Sequence, residues 1–299
     1  SFALAARAAA GRHGYDLVQS HERGLRQDLY RAGEGCHGAY LEAMGRRGVN
    51  PYHRLVLALE RRIFRLRAAR HVVAISRQGK EEIERRYGTD PGRVTLVYNG
   101  VDLDRFHPDN RGRHRPRTRE SLGIPEGAWT VLFVGSGFER KGLGPLLEAF
   151  ARVAGAGGRL VVTGKGDVPG YQRRAARLGL AGRVIWTGPR AEVERLYAAA
   201  DAVALPALYE PFGNVHLEAL ASGLPVLSSA CAGGSEIVRR AENGWVVAEP
   251  TAGPIAEGLA ALRDAPPNGW APSARASVEG FTYAAQAQAF TALYGLLRD

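Results

Sequence analysis

The chain has 299 residues, a formal net charge of +10 and two cysteines. That length allows two domains with sizeable cores, and no apolar run approaches a membrane span. The basic excess is nearly all arginine, with only Lys80, Lys141 and Lys165 as lysines. It reads as compositional bias and not as a nucleic-acid footprint, which would come with a recognition motif. Cys36 and Cys231 lie far apart without metal-ligand spacing and read as reduced thiols of a cytosolic protein.

In chain order, Ser1–Arg7 reads as the end of an amphipathic helix, without the features of a signal peptide. A strand is predicted at 16–20, followed by His21, Glu22 and then a Gly-rich turn, Gly33-Glu34-Gly35-Cys36-His37-Gly38. An Arg-rich helical stretch, with Arg54, Arg61, Arg62, Arg65, Arg67 and Arg70, holds most of the charge surplus. Its positive charge suits an anionic surface or a phosphorylated acceptor. Further strands are predicted at 71–75, 94–97, 130–134, 160–163, 184–187, 202–205, 225–228 and 245–247. Helices fall between them, among others at 145–153, 192–199 and 215–221. Short β-branched runs alternating with helical patterns predict an α/β fold with doubly wound, Rossmann-like parallel sheets. Residues 108–116 are polar, contain Pro and lack an apolar period, so they read as a linker. The expected domains are 1–113 and 114–280, with an amphipathic terminal helix in 281–299.

The densest chemistry lies in 209–226. Glu210 precedes Pro211 and is pushed to extended geometry, and Gly213 lets backbone approach a ligand. A helix then opens at Val215, with its amides and positive dipole end available to an anion, and Glu218 sits about one turn inside. One carboxylate can meet a sugar and the other a ribose diol, with a pyrophosphate between them. Arg140 and Lys141 follow a strand and the Gly135-Ser136-Gly137 turn. A guanidinium fork and an ammonium point charge there can stabilise a leaving pyrophosphate without a metal. Lys165, between Gly164 and Gly166, and Arg190, after Gly188-Pro189, are weaker candidates for nucleotide contact. Asp102-Leu103-Asp104 reads as a turn and not as a metal site. The stretch from Gly164 to Asp167 lacks the spacing of a phosphate-binding P-loop, and no dinucleotide Gly-x-Gly-x-x-Gly follows an early strand.

Glu210 and Glu218 with their intervening residues resemble the Glu-x7-Glu motif of retaining glycosyltransferases with the GT-B fold, in particular family 4. The segments 94–102, 133–142, 162–166 and 198–202 are similar to that family's pattern in the same order. Phe138–Gly142, and more loosely Asp28–Cys36, are most similar to the lipopolysaccharide core glucosyltransferases. The resemblance implies that Arg140 and Lys141 bind the diphosphate in a loop begun by Gly135 and Ser136. It implies that Glu210 meets the donor sugar, that Glu218 holds the ribose, and that Gly213, Asn214 and Val215 offer amides to phosphate. Glu34 and His37 fall on the acceptor side, where Glu34 positions or deprotonates the acceptor and His37 orients a donor hydroxyl. Further expectations are UDP-glucose as donor, transfer with retention by a front-face route, a lipopolysaccharide core or related glycan acceptor, and no metal or cofactor. Peripheral contact with an anionic membrane, at the inner face of the cytoplasmic membrane, and a terminal helix crossing back to the first domain also follow. The family pattern calls for a further strand and Gly-rich loop, and none precedes Asp16, so the N-terminal domain is expected to be incomplete. Two alternatives stand beside this reading: a family 4 hexosyl- or mannosyltransferase for another glycan or glycolipid, and a non-catalytic nucleotide-sugar-binding remnant.

Overall fold

The structure is a computed structural model that describes residues 5, 6, 8, 9, 14–46, 50–265 and 269–298. The helix expected at Ser1–Arg7 therefore lies outside the described residues, apart from Ala5 and Ala6. The chain divides into two compact units, residues 1–100 with 283–299, and residues 101–282.

The first unit holds a parallel sheet in the order β1-β2-β3-β4, formed by Gln19–Ser20, Leu29–Arg31, His71–Ala74 and Val94–Leu96. The second strand was not predicted. It is three residues long and sits just before the Gly-rich turn, so turn chemistry hid it. Leu29 and Tyr30 are fully buried there. Helices α1 (His37–Ala43) and α2 (Pro51–Phe64) connect β2 to β3, and α3 (Arg77–Tyr87) connects β3 to β4. Asn50 caps α2 by accepting from the His53 amide at 2.9 Å, and Pro51 supplies a fixed φ at its first turn. Ser76 caps α3, and Gly88, in the left-handed region, ends it. The terminal helix, Tyr283–Arg298, places Leu293 in one core with Leu29, Val73 and Val97, and its Tyr294 hydroxyl donates to Gln19.

The second unit opens with a helix, α4 (Asn110–Ser121), across the stretch expected to be a linker. Pro116 inside it lacks an N–H and crowds the preceding turn, which is why the local signal argued against a helix. Tertiary contacts override it. Arg111, Arg115 and Arg119 recur every fourth residue and reach Asp201 at 3.0, 2.7 and 3.7 Å.

A six-stranded parallel sheet follows: β5 (Thr130–Val134), β6 (Arg159–Thr163), β7 (Val184–Trp186), β8 (Ala202–Leu205), β9 (Val226–Ser229) and β10 (Gly244–Val247). Its spatial order is β10-β9-β8-β5-β6-β7. The connecting helices are α5 (Leu143–Val153), α6 (Val168–Arg177), α7 (Val193–Ala199), α8 (Val215–Ala221) and α9 (Ala252–Asp264). The four central strands are buried along nearly their whole length, which is why they read as near-continuous apolar runs, whereas the edge strands β7 and β10 are half-buried. The order reverses between β5 and β8, paired through Val131–Ala202 and Leu132–Val203. In such sheets a crevice opens at that reversal, outside the carboxyl ends of the strands.

Candidate functional site

Arg140 and Lys141 come from the loop after β5, and Glu210 from the loop after β8, the two strands that flank the reversal. The Glu210 Oε2 lies 2.9 Å from the Arg140 Nη1 and 3.0 Å from the Lys141 Nζ. Arg140 also donates to the Tyr209 carbonyl at 2.8 Å, and the Leu208 amide donates back to the Arg140 carbonyl. Burial opposes ionisation of Glu210, but Lys141 and then Arg140 overcome it and hold the carboxyl below its ordinary range. The result is a triad in which buried Lys141 and half-buried Arg140 share one buried carboxylate, leaving one positive charge in excess.

The loop after β5 can approach its neighbours because of its glycines. Gly142 sits at φ +78° against the Pro206 carbonyl, which any Cβ would strike. Gly135, at φ +149°, lies under the Lys141 stem, so a side chain there would displace the ammonium. Lys165 and Ser136 join this loop to the one after β6. The Lys165 amide donates to the Ser136 Oγ at 3.2 Å, and its carbonyl accepts from Gly137 at 2.9 Å. The Lys165 side chain is exposed, and so is Arg190 after β7. The structure gives neither a partner in the triad.

The Glu210 segment is fixed from behind by residues to which sequence reasoning assigned no role. Its amide donates to the Cys231 carbonyl, and its carbonyl accepts from Gly233 at 2.8 Å. Gly234 donates to the Phe212 carbonyl and lies against the His216 ring, leaving no room for a Cβ. His216, wholly buried in the first turn of α8, has its Nδ1 2.8 Å from the Gly213 carbonyl. A carbonyl only accepts, so Nδ1 carries the proton and Nε2 accepts from the Ser228 hydroxyl at 2.7 Å. Burial pushes its pKa down to about 4, so the ring is a neutral strut. The Gly233-Gly234 pair directly after a strand end was the available signal for this support.

Gly213, at φ +82°, turns the chain into α8. Asn214 is exposed and Val215 buried at the helix start. Glu218, one turn on, accepts from the Tyr197 hydroxyl at 2.6 Å. Burial raises its pKa, opposed by that hydrogen bond and by the charges of Arg105 and Lys141. The coupling to Lys141 places Glu218 in the same electrostatic neighbourhood as the triad. Tyr197 and Arg105 carried no motif and went unassigned. Asp102 accepts at its Oδ1 from the Asp104 and Arg105 amides, a turn role.

The acceptor-side candidates Glu34 and His37 lie in the first unit and share a different network. Its centre is Glu60, fully buried on α2 and also unassigned from sequence. Glu60 accepts from Arg23 at 2.9 and 3.2 Å, from the His37 amide at 2.6 Å and from the Tyr87 hydroxyl at 2.5 Å. Glu34, exposed, pairs with the same Arg23. The His37 Nε2 meets the His53 Nδ1 at 2.9 Å. Burial lowers the pKa of His37, and Arg23 and His53 add to that against Glu60. His21, after β1, lies 2.8 Å from the Gln19 amide nitrogen.

Among the described residues, no cluster of three or more His, Cys, Asp or Glu is placed to hold a metal ion. No helix among the described residues is long and apolar enough to cross a membrane.

Comparison with known proteins places this geometry in context. Residues 114–275 match the family described as Glycosyl transferases group 1, and residues 1–105 match Glycosyltransferase Family 4. The chain is 37% identical to D-inositol 3-phosphate glycosyltransferase 2 of Catenulispora acidiphila, over 67% of this chain and 49% of that protein. It is 30% identical to the lipopolysaccharide glucosyltransferase WaaG of Escherichia coli, over 80% of this chain and 65% of that protein. The crystal structure of a WaaG superimposes with a TM-score of 0.84 and 27% identity, covering 95% of this chain and 79% of that one. The fold is therefore GT-B, with two Rossmann-like domains. The chain spans about half the length of the first curated relatives it matches, between 46% and 55% of them.

Proposed function

The chain belongs to the group 1 glycosyl transferases, and from that premise we propose that it moves a hexose, glucose from UDP-glucose, with retention onto a lipopolysaccharide core or related glycan. The observation that carries this reading is the triad of Arg140, Lys141 and Glu210 at the strand-order reversal, with Glu218 in the first turn of the helix that follows Glu210. A diphosphate entering there competes with Glu210 for the two cations. As the bond between the anomeric carbon and the phosphate oxygen breaks, negative charge grows on the leaving diphosphate, where the cations offset it. Glu210, released from part of its pairing, is then free to accept from sugar hydroxyls. Glu218 accepts from the ribose diol, with Tyr197 holding its carboxylate. The acceptor oxygen attacks from the face that the diphosphate leaves, and its proton passes to a diphosphate oxygen. Arg140 and Lys141 supply the charge that a metal would otherwise bring, so EDTA should leave turnover unchanged.

Gly135, Ser136, Gly213, Asn214 and Val215 supply close backbone to the phosphates in this reading, and Lys165 and Arg190 reach the nucleotide from exposed positions. Glu34 and His37 face the acceptor, held by the Arg23–Glu60 network. On α2 and just beyond it, Tyr52, Leu55 and Leu66 are about two-thirds exposed among Arg54, Arg61, Arg62 and Arg65. This basic surface with apolar tips suits peripheral contact with an anionic membrane that presents the acceptor.

The test is calorimetry with UDP and a UDP-release assay with UDP-glucose on the full-length protein. Binding should be measurable, and Lys141→Ala should cut turnover by about a hundredfold or more. A full-length protein that does not bind UDP would end the reading.

A second acceptor reading is favoured by the relatives, several of which are named D-inositol 3-phosphate glycosyltransferases. In that case the acceptor is a phosphorylated polyol, drawn by the basic surplus of the first unit. Radiolabelled transfer to inositol phosphate and to core oligosaccharide, run side by side, separates the two.

A further inference from the structure

The opposite edge of the second unit's sheet holds a cavity that the donor reading does not use. Trp129, Asp201 and Pro225 immediately precede β5, β8 and β9. They mark the amino ends of the strands, whereas Arg140, Lys141 and Glu210 follow the carboxyl ends. All three line a cavity of about 260 Å³. We propose that this cavity binds a small organic anion, a phosphate or carboxylate on a planar apolar body, and that its occupant tunes Glu218 through Tyr197 and the end of α8.

Charge is the first argument. Arg111 and Arg115 line the cavity and, with Arg119 behind them, share the single carboxylate of Asp201. The three guanidiniums also donate to the Ala199 and Ala200 carbonyls at the end of α7. A helix end contributes only about half a negative charge, so the cluster keeps well over one positive charge in excess. Burial and the like charges of Arg111 and Arg119 hold the Arg115 guanidinium below its ordinary range despite Asp201.

Unused donors are the second argument. The Ser222 hydroxyl and the Trp270 ring N–H belong to residues that line the same cavity. Both atoms are shut off from solvent, and neither has a hydrogen-bond partner among the described residues. Buried polar groups are normally satisfied, and an indole N–H can only donate, so the missing partner is an acceptor. Trp129 and Trp270 supply flat apolar surface beside these donors. The volume lies just below the range of about 300–1,000 Å³ usual for drug-sized ligands, which admits a small anion and excludes a nucleotide sugar.

The route to the donor site is short. Tyr197 lines the cavity and donates to Glu218. Ser222 closes α8, and its amide donates to the Glu218 carbonyl at 3.1 Å. An occupant therefore bears on the wall formed by Tyr197, whose hydroxyl holds that carboxylate, and by Ser222, whose amide closes the helix turn on the Glu218 backbone carbonyl. Only this coupling rests on the donor reading; the anion site stands without it.

Calorimetric titration of the chain with phenyl phosphate, and separately with benzoate, tests the site. At least one should bind with a dissociation constant below about 1 mM. Arg111→Gln, Ser222→Ala and Trp270→Phe, which keeps the ring and removes the N–H, should each weaken binding about tenfold. Lys141→Ala should leave it unchanged. Failure of both probes to bind at about 10 mM overturns the site. So does binding that Lys141→Ala abolishes and the three cavity variants leave intact. Saturating probe should also shift UDP affinity by about fivefold or more, and Tyr197→Phe should remove that shift. An unchanged UDP affinity overturns the coupling, whereas a protein that binds the probe but never UDP counts against the donor reading instead.

Discussion

Lys141→Met isolates the triad's energetics, because Met keeps the aliphatic stem over Gly135 and removes only the ammonium. At 3.0 Å from the Glu210 Oε2, the pair attracts by about 5 kcal/mol gross at an effective dielectric of about 20. Arg140, at 2.9 Å, supplies about as much. Desolvating each buried ion costs several kcal/mol. The substitution removes one attraction together with one desolvation cost, and Glu210 keeps Arg140, so the net loss at pH 7 should be about 1–3 kcal/mol. The pH dependence is the sharper signature. Glu210 has a folded pKa below its ordinary 4.5, so its contribution is present above that value and is lost as pH falls through the depressed one. Without Lys141 the depression shrinks. The stability gap between wild type and variant should therefore narrow progressively below about pH 4.5. Urea unfolding followed by tryptophan fluorescence reads this cleanly, since Trp129, Trp186, Trp245 and Trp270 all lie in the second unit. A gap of the same size at pH 4 and pH 7, or a variant as stable as wild type, would show that Lys141 does not hold the Glu210 carboxylate in its charged form.

Glu218→Gln should behave in the opposite way. Its folded pKa is raised, so the ionised carboxylate costs stability at neutral pH, and the variant should be about 1 kcal/mol more stable at pH 7, converging with wild type toward acid. The same change should weaken UDP binding about tenfold or more in calorimetry, the loss expected for a hydrogen bond to a charged group. His216 is held neutral with a pKa of about 4, so the unfolded chain takes a proton below pH 6.5 that the folded one refuses. Wild type should lose about 1.4 kcal/mol per pH unit through this window, and His216→Gln should flatten that slope in unfolding curves taken at stepped pH. Glu60→Leu leaves the largely buried Arg23 with the exposed Glu34 but without its buried carboxylate, and should cost about 3–5 kcal/mol in the first unit. Hydrogen exchange of the α2 and α3 amides reads this, and unchanged protection would contradict the hub role of Glu60.

The second unit's sheet was legible almost residue by residue. Residues 131–134 and Ala202–Leu205 are unbroken apolar runs between turn signals, and burial on both faces writes such strands directly into the sequence. The Glu210 to Glu218 segment was legible for a similar reason, since Pro, Gly and a helix start all act locally. What stayed hidden depends on contacts distant in sequence. Helix α4 exists because every fourth Arg finds Asp201, some ninety residues on, and that outweighs Pro116. The strand Leu29–Arg31 is defined by pairing with His71–Val73 and by nothing in its own three residues. Glu60 lies within the Arg-rich stretch without a motif of its own, yet Arg23, His37 and Tyr87 converge on it from three other segments. A buried carboxylate has no local signature when its partners come from elsewhere in the chain.

The two carboxylates of one motif illustrate how much of the chemistry is set by strand order. Eight positions apart, Glu210 and Glu218 start with the same intrinsic acidity, and both are largely withdrawn from water. Only Glu210 lands beside the loop that follows β5, because β5 and β8 are neighbours in the sheet, and there two cations at hydrogen-bond distance outweigh its burial. Glu218 turns instead toward a neutral hydroxyl, with Arg105 and Lys141 acting on it only through space, and burial wins. One crevice thus holds a carboxylate that stays charged and another whose charge is costly. A substitution that merely swapped the two environments, leaving every residue of the motif in place, would exchange their roles. The spacing that makes the pair visible in sequence is therefore not what makes it a site; the adjacency of β5 and β8 is.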